Sequence, residues 1–309
     1  MIATITLNPS IDMRYELDEL RPHEIHRTNY YEKTAGGKGV NVSRILRLLG
    51  EEVIGTGLLG GQNGEFIREE IQKLRITDEF ISIEEETRHC LAFVTKSSSV
   101  ATEILEAGPV ITEQEVATFI RKYETILQQA QFIVASGSLP RGVPNSFYKS
   151  LVEKATAHGK KFILDTSHRA LSYGIQGKPF LIKPNRQELA NLLQKENITY
   201  EEILQAAKGI CRAGIRYVLV SLGREGAILV TEHDAFRAIL PKVHSVNAVG
   251  SGDAMVAGIT YAFANGYEVE DALRLASACG MANAMERQTG YIERENVERL
   301  YKKITIIRE

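Results

Sequence analysis

An alternation of two periodicities constrains this chain more than any other feature. Apolar runs of strand character, "EVIGTGLL", "QFIVASG", "KKFILDT" and "YVLVSLG", alternate with stretches of helical spacing, "EFIREEIQKL", "SFYKSLVEKATAHG" and "ILQAAKGICRAG". Such strands must be covered on both faces, and a helix between successive strands makes neighbours parallel. The pattern predicts an α/β chain, three layers deep, with a mainly parallel central sheet. Residues 11–33 and 88–106 instead alternate polar with apolar, aromatic and β-branched residues, as half-buried antiparallel strands do. They predict a small antiparallel sheet over one edge of the main body, serving as a lid or a dimer interface. No linker, repeat or low-complexity tract interrupts the 309 residues, so one domain over 1–309 is expected.

Composition narrows the partners. Lys plus Arg number 37 against 39 Asp plus Glu, a net charge of -2 that offers no basic field for nucleic acid but leaves room for a local anion site. Cys90, Cys211 and Cys279 are odd in number and lack CxxC spacing, which argues against a disulfide framework or a zinc site and suits a reducing cytoplasm. No run of about 18 apolar residues occurs, and the amino terminus passes directly into "IATITL", so an unexported chain without a membrane partner is expected.

Chemistry concentrates in glycine-rich segments. In "VNAVGSGDAMVAG", residues 246–258, Gly250, Ser251 and Gly252 let backbone N–H groups approach a ligand at the start of an apolar helix, whose dipole favours an anion there. Asp253 would repel that anion unless its carboxylate accepts a proton or faces a metal-masked charge, and phosphoryl transfer meets this condition. In "TAGGKGVNVSRILRLLG", residues 34–50, Gly36, Gly37 and Gly39 open a second helix with Lys38 and Asn41 at its mouth; a tight turn before a helix is the plainer alternative. Neither segment has P-loop or GxGxxG spacing. In "LIKPNRQEL", residues 181–189, Lys183 and Asn185 end a strand at the usual ligand edge of a parallel sheet. Glu188 is either a helix cap or, with phosphates nearby, a carboxylate for hydrated Mg²⁺. The glycines Gly223 and Gly226 of "VSLGREGAILV" are explained by a hairpin turn or by a nucleotide lying over them. His89 and the other histidines lack metal or triad spacing, and Cys90 reads as a small buried side chain.

In order, "GGKGVN", "SGSLP", "IKPNRQE", "VSLGREG" and "NAVGSGD" resemble the signatures of the ribokinase-like, or PfkB, carbohydrate kinases over nearly the whole chain. "TLNPSIDM", "TAGGKGVNVSRIL" and "ETRHC" are similar to the branch acting on ketose phosphates, the tagatose-6-phosphate kinases and 1-phosphofructokinases. The resemblance implies a ribokinase-like fold, ATP and Mg²⁺ as cofactors, a sugar phosphate as the small-molecule partner, and a homodimer formed through the lid. It implies that Asp253 is the general base and that the N–H groups of Gly250, Ser251 and Gly252 stabilise the phosphoryl oxygens. Asp12, Gly37 and Asn41 would bind sugar hydroxyls, while Lys38, Arg88 and Arg27 would clamp the substrate phosphate. Lys183, Asn185, Ser221, Gly223 and Gly226 would hold ATP, Glu188 would orient Mg²⁺ through water, and Asn283 would lie at the adenine pocket. Asn247-Ala248 stands where many relatives outside the branch have Asp-Thr, which weakens ribokinase or adenosine kinase activity. "ATEILEAGP" and "MERQTGYI" resemble the tagatose-6-phosphate form, with fructose 1-phosphate as the alternative acceptor. A sugar-phosphate sensor on this fold would lack the base or the metal carboxylate, and a nucleoside kinase would need neither Arg88 nor Lys38 near its acceptor.

Overall fold

The computed structural model of the chain describes residues 1–95 and 101–309. Its main sheet starts with β1 (Ile2–Thr6), whose residues are all buried, as expected for a strand covered on both faces. Excursions that build the lid follow: β2 (Ser10–Leu17) and β3 (Tyr31–Gly36), then α1 (Lys38–Leu49). The chain returns as β4 (Val53–Gly60), α2 (Gly61–Lys73), β5 (Thr77–Asp78) and β6 (Ile81–Ile83), and leaves again as β7 (Arg88–Thr95) and β8 (Thr102–Leu105). Helix α3 (Glu113–Gln129), β9 (Phe132–Ser136), α4 (Phe147–Ala157), β10 (Lys161–Asp165), α5 (His168–Gly174), β11 (Leu181–Ile182), α6 (Arg186–Leu192), α7 (Tyr200–Arg212) and β12 (Tyr217–Ser221) continue the alternation. The carboxyl-terminal part adds β13 (Ala227–Val230), β14 (Ala235–Ile239), α8 (Ser251–Ala264), α9 (Val269–Met285), α10 (Arg294–Tyr301) and β15 (Thr305–Arg308).

Spatially the main sheet runs β15-β14-β13-β12-β11-β10-β9-β1-β4-β5, with β6 extending the pairing along β4. From β5 to β12 every ladder is parallel; β13 to β15 turn antiparallel at one edge. Alternation along the strands sends side chains into two cores. Ile2, Val134, Ile163 and Leu219 meet α1, α2 and α8 to α10 on one face. Ala3, Ile133, Leu164 and Val218 meet α3 to α7 on the other. This is the expected three-layer architecture. Helices α8 and α9 approach so closely that a Cβ on Gly258 would stand 2.9 Å from Ala276 Cα, which is why that site carries no side chain.

The separate sheet has the order β3-β2-β7-β8. Its β2·β3 and β7·β8 ladders are antiparallel, as expected of the lid, and its central β2·β7 ladder is parallel because the two excursions leave the main body in the same direction. The part of the second predicted lid segment at 96–100 lies outside the described residues.

Candidate active site

The chain steps from β1 to β4 on one side and later to β9 on the other, so the strand order reverses at β1. Ligands of open parallel sheets bind outside the carboxyl ends of the strands at such a reversal. A cavity of about 580 Å³ lies there, between the strand ends, the lid and the amino termini of α1 and α8. Asn8 follows β1, Ser138 follows β9, Thr166 and Ser167 follow β10, Lys183 and Asn185 follow β11, and Ser221 ends β12.

Asp253 sits in the first turn of α8, only 5% exposed, and accepts a hydrogen bond from Asn41 Nδ2 of α1 at 2.9 Å. Burial pushes its carboxyl up to about 6, against the pull of the Lys38 ammonium. A proton acceptor in this range is poised near neutral pH. Gly250 caps the helix in the left-handed conformation, φ 83°, and a Cβ there would stand 2.9 Å from the Gly290 nitrogen. Gly250 and Gly252 form cavity wall, whereas the Ser251 N–H donates to the Ala248 carbonyl at 3.2 Å.

Opposite stands a buried ion-pair cluster absent from the sequence expectations. Asp165, at the end of β10 and fully buried, faces Lys183 Nζ at 3.2 Å and Lys38 Nζ at 3.4 Å. Burial alone would raise its carboxyl, but the two ammonium groups outweigh this and hold it below the ordinary range. Asp165 in turn raises Lys38. The rule that selects Lys183 and Asn185, polar residues at the carboxyl ends of parallel strands, selects Asp165 in "KKFILDT" equally well.

The lid contributes Asp12 of β2 and Arg88 of β7. Asp12 Oδ1 accepts from Ser10 Oγ at 2.7 Å; burial raises its carboxyl, opposed by that hydrogen bond and by the Arg44 and Arg88 cations. Its carboxylate lies where a Cβ of Gly36 would fall, so only glycine in β3 leaves it room. Arg88 donates to the carbonyls of Glu106 at 2.7 Å and Asn8 at 3.2 Å and keeps a buried Nε without a hydrogen-bond partner. Gly37 caps α1 at φ 102°, and with Lys38 and Asn41 it forms the facing wall. Cys90, expected as a buried filler, lines the cavity beside Asp12, as do Arg14 and Glu32 of the lid and Arg287, Gln288 and Thr289 of the loop after α9. Strand alternation and the carboxyl-end rule cover the lid residues, but nothing local marks the loop.

Other expected ligands are placed differently. Arg27 is exposed in the connection between β2 and β3, off the wall of this cavity. Gly223 and Gly226 shape the turn from β12 to β13 without reaching the wall; a Cβ on Gly226 would stand 2.1 Å from the Ala238 carbonyl oxygen, a packing reason for glycine. Asn283 is fully buried and braces the glycine loop from behind: its Nδ2 donates to the Val249 carbonyl at 2.9 Å, and its Oδ1 accepts from Gly290 N at 2.9 Å. Glu188 is the helix cap considered for it and also stands on the cavity wall. Its Oε2 accepts from Asn185 N at 2.8 Å in a capping box on α6.

Among the described residues no group of three or more His, Cys, Asp or Glu could hold a metal ion. Glu188, beside the lysine, amide and hydroxyl groups of Lys183, Asn185 and Ser221, fits a Mg²⁺ carried on phosphate oxygens and kept largely hydrated. The helix-terminal glycines with Lys183 and Asn185 fit the phosphates themselves. No helix among the described residues is long and apolar enough to cross a membrane.

Solved structures share this architecture. Escherichia coli phosphofructokinase-2 in complex with potassium is 28% identical over 98% of each chain, with a TM-score of 0.91. A Thermotoga maritima protein of provisional 1-phosphofructokinase assignment is 27% identical, covers 100% of this chain and 99% of its own, and has a TM-score of 0.89. A Staphylococcus aureus protein of provisional phosphofructokinase assignment is 30% identical over 100% of this chain and 99% of its own, with a TM-score of 0.84. The profile of pfkB family carbohydrate kinases matches residues 5–295, and the chain accordingly belongs to the pfkB family.

Proposed function

We propose that this sugar kinase transfers the γ-phosphoryl group of ATP to the free hydroxymethyl group of a ketohexose monophosphate, with D-tagatose 6-phosphate as the preferred acceptor and D-fructose 1-phosphate as the alternative. One juxtaposition carries this reading: a buried carboxylate, Asp253, at the positive end of α8 shares a cavity with the cations Lys38 and Arg88. Asp253 takes the hydroxyl proton as the sugar oxygen forms its bond to phosphorus, and the bond from phosphorus to the β,γ-bridging oxygen breaks. Lys183, Asn185 and Ser221 would hold the nucleotide, and Glu188 would face hydrated Mg²⁺; bound Mg²⁺ and ATP supply the phosphoryl group and mask its charge. Gly250 and Gly252 admit the phosphates close to the helix terminus, where its dipole stabilises negative charge without reorganisation. Arg88 and Lys38 clamp the acceptor's own phosphate, and Asp12 accepts from sugar hydroxyls.

A furanose ketose carries a hydroxymethyl group at each end, so anchoring one terminal phosphate presents the other end to Asp253. Escherichia coli phosphofructokinase-2 has been solved in complex with fructose-6-phosphate, an epimer of tagatose 6-phosphate, which favours an acceptor phosphorylated on C6 and adds fructose 6-phosphate to the candidates. The test is ADP release, coupled to an indicator, with all three ketose phosphates, with unphosphorylated tagatose and fructose, and with adenosine. The expected result is the highest kcat/KM on tagatose 6-phosphate; faster turnover of adenosine or of unphosphorylated sugars than of any ketose phosphate would refute the reading. The lid leaves Ile25, Tyr31 and Ile104 exposed, which supports a homodimer through it. Three free cysteines accord with a cytoplasmic protein.

A further inference from the structure

Behind Asn41 lies a buried cation that the phosphoryl-transfer scheme leaves unused. Arg44, one turn further along α1, is 6% exposed and does not line the substrate cavity. Its Nη1 donates to Asn41 Oδ1 at 3.0 Å and to the Thr289 carbonyl at 3.2 Å, and its Nη2 donates to the Ala35 carbonyl. A primary amide has one accepting and one donating end, and a guanidinium only donates. With Arg44 on Oδ1, the Asn41 Nδ2 is directed at Asp253 Oδ2, where it lies at 2.9 Å. Gly290 closes over the same amide, with space only for hydrogen: a Cβ there would stand 2.6 Å from Asn41 Oδ1.

We propose that Arg44 is a positioning residue for Asp253, acting through Asn41: it locks the amide in the orientation that donates to the carboxylate and so leaves the other carboxylate oxygen for the acceptor hydroxyl. Without Arg44 the amide is free to turn its oxygen toward Asp253, an arrangement that requires a protonated acid. The inference rests on the proposed function for its kinetic consequence, though not for its structural one. The other charges facing Asp253 are Lys38 from the start of α1, Lys183 from the end of β11 and Asp165 from the end of β10; Asp12 of β2 and Glu70 of α2 act on Arg44, whose own charge also reaches Asp253 directly. These remain in place when Arg44 is replaced. On its far side Arg44 borders a second cavity of about 170 Å³, lined also by Glu70, Lys73, Gln288 and Tyr291. That cavity offers a small cation a route to the vacated site.

The direct test titrates the Asp253 carboxyl by carbon NMR, assigned with Asp253→Asn, in the wild type, Arg44→Ala and Arg44→Lys. Its midpoint is expected to rise by roughly one pH unit in Arg44→Ala and by less in Arg44→Lys. The acid limb of kcat/KM should move by the same amount, kcat at neutral pH should fall roughly twofold from that shift, and KM for the sugar phosphate should stay within roughly threefold. Guanidinium ion should restore part of the Arg44→Ala loss, and methylammonium should not. An unmoved midpoint in folded variants, or a loss confined to KM, would overturn the inference. If Arg44→Ala does not fold, the midpoint of Arg44→Lys decides alone. A wild type that phosphorylates no ketose phosphate would overturn the proposed function, while the NMR midpoint still decides the role of Arg44.

Discussion

Asp253 shows how a single residue carries a stability cost for its reactivity. Its ordinary value is 3.8 and burial raises it to about 6, so in the folded state the ionised form is disfavoured. Below 3.8 the group is protonated whether the chain is folded or not, and no cost arises. As pH rises from there through about 6 the folded state must give up a proton that it binds more tightly than the unfolded chain does, and stability falls by up to about 3 kcal/mol. Asp253→Asn should therefore raise the melting temperature at pH 7.5, with the gain vanishing toward pH 4. The same variant should lose roughly 10²- to 10⁴-fold in kcat while nucleotide affinity, measured by titration calorimetry, changes little. An active Asp253→Asn enzyme would remove Asp253 as the base. In the wild type, kcat/KM should climb as pH rises through about 6 and level off above it, the deprotonated form being the proposed base. At the lid, Arg88→Ala should raise KM for the phosphorylated sugar by roughly 10- to 100-fold, the scale of charge-assisted hydrogen bonds, and leave KM for ATP nearly unchanged.

Among the elements, three helices begin with the same device. Thr112 with Glu115 on α3, Asn185 with Glu188 on α6, and Thr199 with Glu202 on α7 form reciprocal capping boxes. Only the α6 pair faces the substrate cavity, which separates structural from chemical use of one motif. Gln loses the charge and one of the two accepting oxygens that Glu115 offers to Thr112 N and Glu84 N, so Glu115→Gln should lower the melting temperature by a few degrees and leave kinetics close to wild type. Glu188→Gln should leave melting nearly unchanged yet require a severalfold higher Mg²⁺ concentration for half-maximal activity; an unaltered Mg²⁺ dependence would reduce Glu188 to a cap. The terminus of α8 is set differently, by glycine geometry. Gly250→Ala forces a Cβ into the left-handed region against Gly290 and Thr289, and should cost about 1–2 kcal/mol or more in denaturant melts together with most of the activity.

For the molecule as a whole, the site exists because the strand order reverses at β1. The ends of β1, β9, β10, β11 and β12 then open onto one edge, where the amino termini of α1 and α8 converge and the lid projects. The lid packs Tyr15 between Tyr31 and Phe93 but leaves Ile104, at 53% exposure, and Ile25, at 82%, without cover. Burying such groups is worth roughly 1.5–3 kcal/mol per side chain, to be set against the cost of immobilising two chains in the proposed association. Light scattering should accordingly give a dimer for the wild type, and Ile104→Lys should shift it toward monomer; a monomeric wild type at micromolar concentration would contradict association through the lid.

Local patterning was sufficient for much of this. Periodicity alone implied parallel strands between helices, since a strand such as Ile2–Thr6 with no polar face has no alternative to burial on both sides. Glycines directly before helices marked the openings of α1 and α8, and polar residues at a strand end marked Lys183 and Asn185, because these are consequences of backbone geometry within a few residues. Pairings across long sequence separations were not legible. Nothing near Asp165 announces that it holds two lysines, nothing near Asn41 fixes its amide on Asp253, and nothing near Asn283 shows that it supports the glycine loop from behind instead of facing a ligand. Arg27 illustrates the converse: a basic residue in a lid segment invites assignment to the phosphate, but a strand connection can carry it away from the cavity. The sequence by itself determined the elements and the class of chemistry, through short-range sterics and the burial demanded by apolar runs. Only the tertiary structure decided which charges meet, because the protonation and direction of each polar group depend on neighbours brought together from distant parts of the chain.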